Sequence, residues 1–176
     1  MNSIVVYSSK TGFVERYAKW IAEDLSANLA QADEVGIEDL MRYDTIIYGG
    51  GLYAVGINGI KLIKNNLERL KEKNLIVFAT GASPPRERII EEVKEKNFTP
   101  DEQRYLEFFY LRGGFDYEKL GLKDRMLMKM LKKKLKMKKE LTPDEKGMLE
   151  AYEDPVDFTK KENIGDLLDY ARGKSE

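Results

Sequence analysis

The chain has 176 residues, 42% hydrophobic and 35% charged, enough for one domain with its own core and unlike a disordered segment. It contains no cysteine and no histidine, which excludes disulfides, thiolate nucleophiles and iron–sulfur ligation and removes the commonest general base and metal ligand, so redox chemistry here needs an organic cofactor. The net charge is −1, yet residues 122–139 carry nine Lys or Arg against one Asp, so the rest of the chain is acidic.

Ile4-Val5-Val6-Tyr7 is a β-branched and aromatic run between serines, which reads as a buried strand and not as a signal peptide. No apolar run approaches the roughly 20 residues of a membrane span, so the expected location is the cytoplasm. After Gly12, the residues Val14, Tyr17, Ala18, Ile21, Ala22 and Leu25 recur at helical spacing and predict a helix over 14–25. Residues 28–35 carry a fainter strand pattern. Thr45-Ile46-Ile47-Tyr48 is a second clear strand, with Gly49-Gly50-Gly51 opening a loop behind it. Ile60, Ile63, Leu67 and Leu70 share one face of a predicted helix over 60–70. Leu75-Ile76-Val77-Phe78-Ala79 is a third clear strand, ended by Thr80-Gly81. A short charged helix is expected over 86–96, a further strand over 106–111 and a last helix over 163–172. Residues 113–160 interrupt this alternation. Within them, 124–138 predicts an amphipathic helix with Leu127, Leu131 and Leu135 in a stripe, Met128 and Met130 beside it, and lysines elsewhere.

Strands alternating with helices, with nearly continuous apolar strands, predict an α/β fold whose parallel sheet is covered on both faces. Five strands at this length suit the doubly wound order 2-1-3-4-5, in one domain over 1–176 with a basic helical insertion, 113–160, before the last helix. In that order the strand sequence reverses between the first and third strands. Ligands bind beyond the carboxyl ends there, so the site is expected in the loops after Tyr7, Tyr48 and Ala79.

The first of these loops, Ser9-Lys10-Thr11-Gly12-Phe13-Val14, leads into a helix N-terminus, where unpaired N–H groups and the helix dipole favour an anion. Ser9 and Thr11 add hydroxyls, and Gly12 permits close approach of the backbone. Neither a Walker loop nor G-x-G-x-x-G is present. Helix capping by the hydroxyls is the competing reading. The loop resembles the [ST]-x-T-G-x-T phosphate loop of flavodoxins, matching at Ser9, Thr11 and Gly12 and departing where Val14 replaces the last Thr. The resemblance implies the flavodoxin fold and FMN as cofactor, its phosphate on residues 9–14. It also implies that Gly50, Gly51, Leu52, Tyr53 and Ala54 run along the flavin ring, with Tyr53 the aromatic candidate for ring contact. Thr80, Gly81, Ala82 and Ser83 are similar to the second ring-side loop, without the tyrosine that many electron-carrying flavodoxins stack there.

Tyr110-Leu111-Arg112-Gly113-Gly114-Phe115-Asp116-Tyr117, followed by Lys123-Asp124-Arg125-Met126-Leu127-Met128-Lys129-Met130, resembles the menaquinone-dependent protoporphyrinogen IX dehydrogenase family, as does Val156-Asp157-Phe158-Thr159 before the last helix. That resemblance implies an FMN-dependent oxidoreductase of heme biosynthesis with a tetrapyrrole substrate and a quinone acceptor. Its chemistry is carried by the flavin, without a catalytic side chain or metal. A homodimer is compatible with the reading, and no nucleic-acid partner is expected. Residues 122–139 are expected either to touch an anionic membrane face peripherally or to stand as a solvated helix. The competing functions are an electron-transfer flavodoxin and a flavodoxin-fold interaction module without redox activity.

Overall fold

Each strand of a two-sided sheet must feed two cores at once, and the alternation of side chains along these strands does so. The computed structural model describes residues 2–53 and 56–173. In chain order it runs β1 (Ser3–Ser8), α1 (Phe13–Leu25), β2 (Asn28–Gln31), α2 (Ile37–Leu40), β3 (Thr45–Tyr53), β4 (Gly56–Ile57), α3 (Lys61–Lys64), α4 (Leu67–Leu70), β5 (Asn74–Gly81) and α5 (Glu87–Asn97). It continues with β6 (Glu107–Arg112), β7 (Gly114–Phe115), α6 (Leu122–Lys136), α7 (Pro143–Ala151), β8 (Val156–Asp157) and α8 (Gly165–Gly173). The parallel sheet has the order β2-β1-β3-β5-β6, with β4 folded back as a hairpin on β3. This is the expected doubly wound α/β arrangement. Val5, Tyr7, Ile47, Ile76, Phe78 and Leu111 face one way, into a core closed by α1 and α8. Val6, Ile46, Tyr48, Val77 and Tyr110 face the other way, onto Ile57, Ile63, Leu70 and Val93.

Four local expectations are corrected. The glycines after Tyr48 are strand and not loop: Gly49 pairs with Tyr7 and Phe78, Gly50 with Ser8 and Ala79, and Gly51 with Thr80. The strand needs glycine there for room, since a Cβ on Gly49 would stand 2.1 Å from the Phe78 ring and one on Gly50 2.6 Å from the Asn58 carbonyl oxygen. The helix expected over 60–70 breaks into α3 and α4. The Asn66 side chain donates to the Leu62 carbonyl at 2.8 Å, in competition with the helical ladder, and Asn66 itself leaves helical geometry. The strand expected over 28–35 is the four residues of β2, because the chain turns after Gln31. The edge strand lies one residue later than 106–111.

The residues between β6 and α8 make a substructure of their own. β7 and β8 pair antiparallel and close its base. Above them α6 and α7 form a helical hairpin around Tyr152, whose ring meets Phe115 at 5.1 Å and Tyr117 at 5.4 Å and whose hydroxyl donates to the Met128 carbonyl at 2.6 Å. Thr142 and Glu145 form a capping box that starts α7. The apolar stripe of α6 is rotated from expectation. Leu135 is buried and Met128 and Leu131 are half-buried against the hairpin, whereas Leu122, Met126, Leu127, Met130 and Met137 stand in solvent. The reason is α7, whose contribution to the stripe's partner is not visible in the periodicity of α6 alone. Among the described residues no helix is long and apolar enough to cross a membrane.

Candidate cofactor site

Register brings the three expected loops to one end of the sheet. Ser8 lies beside Gly50, and Gly50 beside Ala79. The chain leaves β1 at Ser8 and enters α1 through Gly12, at φ 91°. Most L-residues avoid this conformation and glycine takes it freely. The Gly12 N–H donates to Ser9 Oγ at 3.1 Å, and the first backbone bond of the helix runs from the Arg16 N–H to the Gly12 carbonyl at 3.0 Å. The N–H groups of Phe13, Val14 and Glu15 therefore precede the helical ladder and have no backbone acceptor among the described residues. Ser9 and Thr11 are half-buried, and Lys10 and Gly12 are exposed. Phe13 and Val14 are buried, and the Val14 methyl lies 3.6 Å from where a Gly51 Cβ would be. The position at which the motif has its last Thr is thus used here for packing. Donors, dipole and glycine at the head of a thirteen-residue helix fit a dianionic phosphate monoester such as that of FMN.

The ring-side segments are firmer than loops. Thr80 is buried beneath Gly113, whose Cβ position lies 3.2 Å from Thr80 Cβ. Gly81 ends β5, and Leu52 reaches across to it, 3.1 Å from its Cβ position. Ala82 and Ser83 turn away, held by β6: Arg112 Nε donates to the Ala82 carbonyl at 3.2 Å and the Tyr110 hydroxyl to the Ser83 carbonyl at 2.9 Å. Gly50, Gly51, Leu52 and Tyr53 lie on the neighbouring strand, and Ala54 lies outside the described residues.

Four residues that the sequence reading did not place at the site, Asn58, Asp124, Arg86 and Asp144, stand around it. Asn58 donates to Ser8 Oγ at 2.6 Å and accepts at its carbonyl from the Tyr48 hydroxyl at 2.8 Å, which ties the hairpin to the phosphate loop. The Asn58-Gly59 pair is a turn signal that pointed to it. Asp124, the lone acid of the basic block, accepts from Lys10 at 2.6 Å. The same Lys10 ammonium sits 4.1 Å above the Tyr53 ring. Arg86 grips Asp144 with both terminal guanidinium nitrogens, Nη1 and Nη2, at 2.6 and 3.1 Å. The hairpin is thereby tied at α6 to the phosphate loop and at α7 to the segment after β5. Between Lys10, Tyr53, Asn58, Lys61 and Asp124 lies a cleft of about 360 Å³.

Burial, followed by the Asp124 carboxylate, raises the Tyr53 phenol from 10.0 to about 12. The fold favours the neutral phenol. Its contribution is therefore complete below pH 10 and is lost as the pH rises through about 12. A tyrosinate difference titration of the parent against Tyr53→Phe should place this group near 12. Asp124→Asn should lower the midpoint, leaving it above the ordinary value because burial is the larger cause. A Tyr53 midpoint at 10 would show the ring to be open to water.

A family model described as a flavodoxin domain matches residues 4–142. No curated protein matches the sequence. Among solved structures, the chain is similar to a flavodoxin from the domain Archaea (19% identity over 74% of this chain and 93% of that one, TM-score 0.44). It is also similar to a flavodoxin described as a WrbA-like protein from Agrobacterium tumefaciens (21%, 70% and 87%, TM-score 0.48). Oxidised flavodoxin 2 from Bacillus cereus gives 20% identity over 76% of this chain and 99% of that one, at a TM-score of 0.43.

Proposed function

The chain belongs to the flavodoxin family, whose cofactor is FMN, and on that footing we propose that it is an FMN-dependent oxidoreductase. In this reading it takes hydrogen from protoporphyrinogen IX, or a similar reduced tetrapyrrole, and passes the electrons to a quinone. The observation that carries the reading is the α6–α7 hairpin, tied by Lys10–Asp124 and Arg86–Asp144 to two of the three loops around the switch point. An electron carrier works through an open flavin edge that a partner protein can dock upon. Here a folded substructure is tied to two of the loops that would border that edge, as the wall of a substrate cleft would be.

Bound flavin supplies the two-electron chemistry, which suits a chain without histidine or cysteine. The protein's share is placement. The N–H groups heading α1 and the Thr11 hydroxyl hold the phosphate, Asn58 fixes Ser8 beside it, and Tyr110 and Arg112 hold the far ring-side turn in position. Lys61 lines the cleft beside the Lys10–Asp124 pair and favours an anionic substrate, such as a tetrapyrrole bearing propionates.

The test is porphyrin fluorescence. The FMN-loaded protein, given protoporphyrinogen IX and a menaquinone analogue without oxygen, should form porphyrin at a rate that depends on both FMN and quinone. Fluorescence no faster than the uncatalysed background would overturn the quinone-dependent dehydrogenase reading. If flavin-bound protein then still exchanged electrons with a reductase, it would stand as a carrier.

A further inference from the structure

We propose that the outward face of α6 is a docking surface for an anionic lipid bilayer. It goes beyond the redox reading and does not depend on which substrate is used. Leu122, Met126, Leu127, Met130 and Met137 are 87, 63, 62, 66 and 76% exposed on this one helix and its C-cap. A soluble helix normally turns such residues inward, and α6 does so with Leu135 on its opposite side. Met126, Met130 and Met137 line a shallow hollow of about 520 Å³ together with Lys129, Lys133 and Lys136.

Charge identifies the occupant. Among the described residues, Lys123, Lys129, Lys133, Lys134 and Lys136 make no ion pair. Three acids that reach this helix or its base are already engaged, Asp124 by Lys10, Glu153 by Lys132 and Glu145 by Lys138. A second copy of the same face would bring lysine against lysine. An acidic protein groove would match the charge, but flexible methionines interleaved with lysines along one helix suit a fluid interface, where the apolar side chains dip and the ammonium groups stay at the headgroups. Because Asp124 at the start of α6 is bonded to Lys10 of the phosphate loop, a helix lying on the bilayer brings the cofactor site close to that surface.

The experiment is flotation of the FMN-loaded protein with two kinds of vesicle, one phosphatidylcholine with phosphatidylglycerol and one phosphatidylcholine alone. Binding is expected to the first, with little to the second and release by added salt, since the Debye length falls from about 8 Å to about 3 Å at molar salt. Each lysine near such a surface is worth about fivefold in partitioning. Replacing Lys129, Lys133, Lys134 and Lys136 by Gln should therefore lower it by about a hundredfold or more. Met126→Ser with Met130→Ser should also lower it, although charge is unchanged. Retained flavin absorbance and an unchanged urea midpoint identify loss of docking without loss of fold. Met130→Trp should give a blue-shifted emission on the anionic vesicles. Absence of binding to anionic vesicles overturns the proposal, as does binding that both sets of substitutions leave intact. Elution as a dimer that Met130→Ser dissociates, with no vesicle binding, gives the face to a second copy. Failure of the porphyrin assay leaves these outcomes untouched, so the two readings fall separately.

Discussion

Gly49→Ala is expected to be among the most destabilising small substitutions in this protein. The added methyl carbon would stand 2.1, 2.5 and 2.6 Å from three atoms of the Phe78 ring. Phe78 is wholly buried and pairs directly with Gly49 across β3 and β5. The ring has no empty space to enter, because Val14, Tyr17, Ile47 and Leu167 belong to the same packed core. Overpacking of this kind costs about 1–3 kcal/mol, and more when a rigid aromatic cannot move. Against a typical total of about 5–15 kcal/mol, that lowers the urea midpoint of the apoprotein clearly. Phe78→Ala should cost about 3–5 kcal/mol by leaving a cavity. The pair Gly49→Ala with Phe78→Leu should be more stable than the two single costs added together, since each change makes room for the other. Strict additivity, or an unchanged midpoint for Gly49→Ala, would mean that the ring does not occupy the glycine's side-chain space.

This glycine also marks where the sequence was legible and where it was not. β1, β3, β5 and β6 announced themselves because each holds a run of β-branched or aromatic residues, which β2 lacks, and the helix over 14–25 because its apolar residues recur at helical spacing. Those two signals were enough to locate the switch point, and the Ser9–Gly12 loop between them is the segment the structure carries into the head of α1 there. Gly49-Gly50-Gly51 carries neither signal. Glycine in a strand reads as a loop unless the bulky neighbour that requires it is known, and Phe78 is twenty-nine residues away in the chain. Asn65-Asn66 hid a helix break in an otherwise regular pattern for a similar reason, as a side chain competing with the backbone leaves the spacing of the apolar residues unchanged. The α6 stripe was misplaced at its first member, with Met128 and not Leu127 facing inward, because its inner partner, the hairpin with α7 and Tyr152, is a tertiary choice. Asp124 was visible as a lone acid among nine bases, yet nothing in the sequence connects it with Lys10, more than a hundred residues earlier.

Thr11→Ala and Gly12→Val should both weaken FMN, through different physics that separate measurements can tell apart. Thr11 is half-buried in a loop and its hydroxyl has no role in the core, so its removal should leave the urea midpoint of the apoprotein unchanged. Loss of one hydrogen bond to a charged group costs about 1.5–3 kcal/mol, or about 10- to 100-fold in FMN affinity. Gly12 is different. A Cβ there would meet nothing within 4 Å, so the objection to a side chain is not space but the φ of +91°. A β-branched residue forced into that conformation costs of order 1–3 kcal/mol. Gly12→Val should therefore lower the stability of the apoprotein as well as its affinity, either by holding the strained turn or by moving the N–H groups that the phosphate needs. Gly12→Asn supplies the control, since asparagine tolerates the left-handed region. It should recover most of the lost stability and, if the turn is kept, much of the affinity. Titration of each apoprotein with FMN, followed by flavin fluorescence quenching, reads the affinity. Unchanged affinity for both Thr11→Ala and Gly12→Val would place the phosphate away from the head of α1.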